Sequence, residues 1–462
     1  MIARLTAAIL AIAAAACGAV AVVDRTEPSA ATDEPALVTP VWSVRRVPGP
    51  IVGGVAQLRL QSEVATELVG LSACVVVDGP AGRLVALGAD TALIPASTIK
   101  ILTAIGALSA LPADFHFTTV VRANGEPDGG EVGSVTLVGG GDPLLGTPEW
   151  IAARQLDPHT AGTTTTPLAA LADQLARAGI RSIPGGVIGL APRWPDEPAY
   201  LPSWPARYRS RAIGPLSSLT VNEGFRGAGA AADPALFAAE ELTRLLADRG
   251  ITVGPASSAD GSASAPDGDV LASVDGAPLR DVVGEMLTAS DNLTAEVLLR
   301  ELAVVDGGSS TPQGAAVVRD RLAALGLPLD GFVQVDGSGL SRDNRVPCTL
   351  LQAALDITDR SELAAVRDGL AVAGERGTLA ERLLGTPLVG KLRAKTGTLS
   401  GVSGLAGFLE VGPPLRFSLL LNGGFGEGAA LGLRERIALK LGEYPDVATV
   451  DALVPQPAVS KR

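Results

Sequence analysis

Residues 5–23 (LTAAILAIAAAACGAVAVV) form a run of 19 uncharged, mostly apolar residues between Arg4 and Asp24. Such a run is just long enough to span hydrocarbon as a helix, and it lacks the amphipathic period of a core helix. It reads as an export signal or an uncleaved single-span anchor. Ala14-Ala15-Ala16-Cys17 also weakly resembles a lipoprotein cleavage site. Nothing later approaches a second span, so the rest of the chain is expected to fold in water outside the cytoplasm, with membrane contact only through this segment.

Export changes how the cysteines read. Beyond Cys17 only Cys74 and Cys348 remain. In an oxidising compartment the pair reads equally as two small buried hydrophobes or as a disulfide, and spacing does not decide between them. A net charge of −12 argues against nucleic acid or an anionic membrane surface as a partner.

Texture divides the chain. Residues 24–50, rich in Pro, Thr, Ala and acidic residues, read as a tether. Residues 51–113 begin a folded body. LSACVVVDGPAGRLVALG (71–88) is a hairpin turning at 78–82, and Pro95 then opens a helix. From 114 to 274 Gly-rich turns and proline clusters surround strands at 115–121 and 134–138, with one amphipathic helix at 233–249. Residues 275–450 return to helical texture at 278–304 and 311–325. A strand at 332–335, a strand pair at 404–411 and 415–422, and a helix near 430–442 follow; 451–462 is a tail. The expectation is an α/β (α+β) body interrupted by a mainly β insertion.

The lysines then draw attention. Only Lys100, Lys391, Lys395, Lys440 and Lys461 occur, which leaves 37 − 5 = 32 basic residues as arginine. Lys100 follows Ser97 by three residues in IPASTIKILTA, so the two share one helix face. A serine hydroxyl is a weak nucleophile until a base takes its proton. A desolvated lysine can be that base, whereas arginine does not deprotonate in a protein. The spacing alone is common. Two further motifs follow it: Ser290-Asp291-Asn292, ahead of a helix, and Lys395-Thr396-Gly397-Thr398, leading into a strand. S-x-x-K, S-D-N and K-T-G in that order mark class A β-lactamases and penicillin-binding proteins.

The spacing between motifs selects within that superfamily. Ser97 to Ser290 spans 290 − 97 = 193 residues and Ser290 to Lys395 spans 395 − 290 = 105. The first interval exceeds what a compact β-lactamase needs. The chain resembles the D-alanyl-D-alanine carboxypeptidase/endopeptidase family of class C low-molecular-mass penicillin-binding proteins, which carry extra domains in that interval. LVGGGDPLL (137–145), SSLTVNEGF (217–225) and DGSGLSRDNRV (336–346) support the resemblance, which covers about residues 55–425.

What the resemblance implies is a penicillin-binding-protein/β-lactamase-like transpeptidase fold and a serine-type D-Ala-D-Ala carboxypeptidase of peptidoglycan stem peptides. Cleavage of cross-links as an endopeptidase and acylation by β-lactams belong to the same expectation. Ser97 is the expected nucleophile and Lys100 its base, with Ser290 relaying a proton between Lys100 and the leaving D-alanine amine. Asn292 would hold the substrate amide. Lys395 would supply positive potential at the mouth, with Thr396, Gly397 and Thr398 at the terminal carboxylate. Backbone N–H groups of Ser97 and Thr398 would form the oxyanion hole.

Rival readings are a β-lactamase or esterase using the same acylation machinery, and a cell-wall-binding scaffold with a weak site. The absence of an E-x-x-L-N-like deacylation motif favours the peptidase. GTPLVGKL (385–392) nearly matches a P-loop, but Leu392 stands where Ser or Thr is required, so the segment reads as a turn. His116 and His159 read as structural or solvated, Glu223 and Asp336 as structural. With no clustered Cys and His, neither metal nor cofactor is expected.

Overall fold

Alternation along β1 (Ser72–Gly79) sets the layering: Cys74 and Val76 pack on one side, Val75 and Val77 on the other, and all four are buried. A strand buried on both faces needs cover on both. The computed structural model describes residues 49–446 apart from Ser210. Residues 1–23, with the apolar run 5–23, nearly all of the tether and the tail lie outside the described residues. No described helix is long and apolar enough to cross a membrane.

In chain order, α1 (Gly49–Glu67) precedes β1, which turns tightly into β2 (Gly82–Leu87). A 3-10 turn (Ala96–Ile99) then feeds α2 (Lys100–Ala110). The intervening segment contributes β3 (Thr118–Asn124), β4 (Ser134–Val138), α3 (Pro148–Leu156), α4 (Ala169–Arg177), β5 (Val187–Leu190), α5 (Pro234–Ala247), β6 (Ser257–Ser258) and β7 (Val270–Asp275), with several two-residue strands left unlabelled. The chain closes with α6 (Leu279–Ala289), α7 (Asn292–Val305), α8 (Thr311–Ala324), α9 (Cys348–Asp356), β8 (Ala371–Val372), β9 (Leu392–Leu399), β10 (Val402–Leu409), β11 (Leu415–Asn422) and α10 (Glu427–Gly442).

The main sheet is antiparallel, in the order β8-β9-β10-β11-β1-β2. Helices α2 and α6–α9 cover the face of Cys74 and Val76. Leu60 and Val64 of α1 and Leu433, Ile437 and Leu441 of α10 cover the other. The sheet is thus the middle layer of three. Cys74 and Cys348 are joined by a disulfide, which ties β1 to the start of α9.

The segment between α2 and α6 has its own five-stranded sheet, β6-β5-β4-β3-β7, and its own core from α4, α5 and these strands. Helices α3 and α4 are additions to the sequence reading. Thr147 caps α3 by accepting a hydrogen bond from Trp150 N, with Pro148 opening the first turn. Leu171, Ala172 and Leu175 give α4 its buried stripe. The strand expected at 332–335 reduces to one bridge between Val333 and Arg345. Strand β3 starts at Thr118; just before it, Phe115 and Phe117 pack edge to face, ring centroids 5.1 Å apart, and their carbonyls accept from Leu279 N and Gly276 N.

Candidate active site

Ser97 sits in the 3-10 turn ahead of α2, partly exposed, where the chain leaves Pro95 for the buried helix. Ala96 before it has φ 47°, a left-handed conformation that costs a non-glycine residue of order 1–3 kcal/mol and persists only under strong surrounding constraint. Two close approaches supply that constraint. A Cβ on Gly397 of β9 would stand 2.8 Å from Pro95 O and 3.2 Å from Ser97 N. A Cβ on Gly339 (φ 87°) would stand 2.1 Å from Ala96 O. Glycine at both positions lets the K-T-G strand and the 336–344 loop close on the serine turn.

Lys100, fully buried at the start of α2, is the hub. Its Nζ lies 3.1 Å from Ser97 Oγ, 2.7 Å from Asn292 Oδ1 and 2.6 Å from Ser338 O. The last two partners are obligate acceptors, so a neutral amine with two N–H bonds satisfies both and turns its lone pair toward Ser97. Burial pushes the Lys100 pKa down to about 8, against the opposing pull of Asp336, Glu296, Asp291 and Glu285. A lysine so placed keeps an accessible neutral fraction near neutral pH.

Ser338 is delivered by a loop built around Asp336. The Asp336 carboxylate accepts from Gly339 N (2.8 Å), Ser341 N (2.5 Å), Asn344 Nδ2 (2.7 Å) and Trp204 Nε1 (2.8 Å). Glu296 Oε1 accepts from Ser338 N at 2.7 Å. The sequence reading kept Asp336 as structural; the part it missed is the Ser338 carbonyl, which no side-chain motif could reveal.

The second motif is a break between helices. Ser290 ends α6 in the left-handed region (φ 64°), and Asp291 caps α7 by accepting from Thr294 N at 3.0 Å. Ser290 Oγ accepts from Lys395 Nζ at 2.7 Å, so this serine joins Lys395 rather than Lys100. Asn292 Nδ2 donates to Ala212 O at 2.7 Å while its Oδ1 faces Lys100, which fixes the amide's orientation.

Lys395 departs from expectation: it is fully buried on β9, not placed at the mouth, and also donates to Thr396 O at 2.9 Å. Burial, then the neighbouring charges of Lys100 and Arg434, hold it well below the usual lysine range. Thr396 Oγ1 is 2.8 Å from Thr378 Oγ1, and Thr398 Oγ1 accepts from Arg434 Nη1 at 2.9 Å. Arg434, on α10 and 4% exposed, has no carboxylate ion-pair partner among the described residues. Burial first, then Arg382, brings its pKa down to about 10, with Glu435 opposing. An arginine in a helix near the C-terminus reads as solvated, so its burial could not be foreseen from sequence. Strand β8 pairs only with Arg393 and Ala394, leaving Thr396–Thr398 without a strand partner on that side. Such an open edge suits an extended peptide.

The eight expected site residues therefore lie in one cluster, joined through Lys100 to Ser97 and Asn292, through Lys395 to Ser290, and through the close approach of Gly397 to Ser97. The histidines lie elsewhere: His116 Nδ1 is 2.7 Å from Gly276 O, and His159 is an exposed neighbour of Asp157. Residues 385–391 are a run of turns leading into β9 at Leu392.

The model of the D-Ala-D-Ala carboxypeptidase 3 (S13) family matches residues 59–230 and 220–442. The carboxypeptidase DacB of Mycolicibacterium smegmatis is 32% identical over 421 residues, covering 86% of this chain and 85% of that one. The D-alanyl-D-alanine carboxypeptidase of Actinomadura sp. (strain R39) is 29% identical, covering 81% of each. In fold, the crystal structure of penicillin binding protein 4 (dacB) from Haemophilus influenzae matches with a TM-score of 0.69 at 21% identity, over 83% of this chain and 99% of that one.

Proposed function

Since the chain belongs to the D-Ala-D-Ala carboxypeptidase 3 (S13) family and is a serine-type D-Ala-D-Ala carboxypeptidase, we propose that Ser97 carries the acyl group and Lys100 activates it. The observation that carries this assignment is the 3.1 Å approach of Lys100 Nζ to Ser97 Oγ inside a desolvated hub. Neutral Lys100 takes the hydroxyl proton as Oγ attacks the penultimate D-Ala carbonyl. The backbone N–H groups of Ser97 and Thr398 stabilise the oxyanion. Ser290, its oxygen held by Lys395, donates its own proton to the leaving D-alanine nitrogen as the C–N bond breaks, and is reprotonated from the lysines. Water then hydrolyses the ester on Ser97.

Asn292 keeps the Lys100 lone pair aimed and lies at the substrate amide. The hydroxyls of Thr396 and Thr398 bind the terminal carboxylate, with Arg434 behind Thr398 as the cation, and the substrate lies along the open edge of β9. The substrates are peptidoglycan stem peptides, and β-lactams acylate the same serine. Cleavage of a cross-link is the same acyl transfer with a longer leaving amine. The work is done on the cell wall outside the cytoplasm, and residues 1–23 serve as the export signal or anchor. In this reading 114–274 is an inserted module within a body formed by 51–113 and 275–450; its separate core supports that division. Ser97→Ala tests the assignment: release of D-alanine from a D-Ala-D-Ala peptide should be abolished in a folded protein, and retained release would refute it.

A further inference from the structure

The inserted segment reaches the Ser290–Asn292 loop from two sides. On one, Ala212 O accepts from Asn292 Nδ2 at 2.7 Å. On the other, Arg154 of α3, 8% exposed and stacked 4.7 Å from the Trp150 ring centroid, donates to Glu223 and to Glu285 of α6. The second oxygen of Glu285 accepts from Thr294 Oγ1 at 3.4 Å, and Thr294 N is capped by Asp291, the residue between Ser290 and Asn292. Glu223 is itself held in a left-handed pair with Asn222 (both φ 55°), whose Oδ1 accepts from Thr147 N at 2.9 Å at the start of α3.

We propose that Arg154 and Glu223 are positioning residues for the reaction, fixing Ser290 and Asn292 through Glu285 and Asp291. The proposal rests on the roles given to Ser290 and Asn292 above.

The charge count argues that this clamp works with a proton inside it. Three carboxyls, Glu223, Glu285 and Asp291, surround one guanidinium, with Thr163 and Thr294 as neutral neighbours and Lys100 on α2 as the next cation. Asp291 Oδ2 is buried without a donor, and Glu223 and Asp291 line the same small cavity. A proton on Glu223 supplies the missing donor. Burial first and Asp291 second raise Glu223 well above the usual carboxyl range, and the same causes bring Glu285 to about 8. Deprotonation at alkaline pH sets carboxylates against each other beneath Ser290, so acylation should fall there.

The test is the second-order rate constant for acylation by a chromogenic cephalosporin, followed from about pH 6 to about pH 10 in wild type, Glu223→Leu, Glu223→Gln and Ser290→Ala. Glu223→Leu should lose about tenfold or more at neutral pH. Glu223→Gln, which donates to Asp291 and still accepts from Arg154, should recover most of that loss and show a smaller alkaline decline than wild type. A merely stabilising network would move the melting temperature without changing the pH profile. Wild-type acylation in Glu223→Leu, or an unaltered alkaline limb in Glu223→Gln, would overturn the proposal. If Glu223→Leu does not fold, the Glu223→Gln profile decides. Normal acylation in Ser290→Ala would instead refute the site reading, whatever Glu223 does.

Discussion

Lys395 Nζ lies 2.7 Å from Ser290 Oγ, linking the third motif to the second across 105 residues. In the proposed mechanism this places the lysine on the proton-transfer side of the site, while the buried guanidinium of Arg434 donates to the hydroxyl of Thr398.

The two cations should then separate in substrate preference. Removing a charge-assisted hydrogen bond costs ~1.5–3 kcal/mol, about ten- to a hundredfold in rate. Arg434→Gln and Thr398→Val should lower kcat/KM by that factor for peptides ending in free D-Ala-D-Ala, and by much less for the amidated analogue. Lys395→Ala should lower both together. An unchanged acid-to-amide ratio in Arg434→Gln would show that the carboxylate is read elsewhere.

Lys100 predicts the acidic limb of the pH profile. With its pKa at about 8, the amine is protonated below that value and cannot accept the Ser97 proton. Acylation should rise about tenfold per pH unit on the acidic side and level off near pH 8. Lys100→Arg, always protonated, should be slower by ~1000-fold or more at every pH. A flat profile, or a competent arginine variant, would exclude Lys100 as the base.

The Cys74–Cys348 disulfide closes a separation of 274 residues. Its removal in the double serine variant should cost about 2–5 kcal/mol in reversible denaturant unfolding. Because it joins β1 to α9 and neither cysteine is one of the site residues, the remaining folded protein should acylate at nearly the wild-type rate. An unaltered unfolding midpoint would show that the bond contributes nothing.

Features with a local cause were legible in the sequence. The 71–88 hairpin follows from its β-branched run and turn, and α2 from Pro95 and the apolar run after Lys100. The Ser97, Ser290 and Lys395 motifs are short and contiguous, so their meeting could be anticipated. Features made by long-range packing were not legible. Arg154 and Glu223 stand 69 residues apart and meet Glu285 only once the insert folds against α6. The Ser338 carbonyl carries no sequence signature. The burial of Lys395 depends on Ser290 coming to meet it, so a mouth position was the natural but mistaken expectation. At 148–156 a nine-residue helix offers no clear apolar period, whereas the Leu171, Ala172 and Leu175 stripe of 169–177 is legible in the sequence.

The most direct test of the account is intact-protein mass after incubation with benzylpenicillin, followed by peptide mapping, in wild type and Ser97→Ala. Wild type should gain the mass of one penicilloyl group on the peptide containing Ser97 and lose it slowly, as expected of a carboxypeptidase rather than a β-lactamase. Ser97→Ala, folded with its disulfide intact, should gain none. An adduct in the alanine variant, or on another residue of the wild type, would contradict the account.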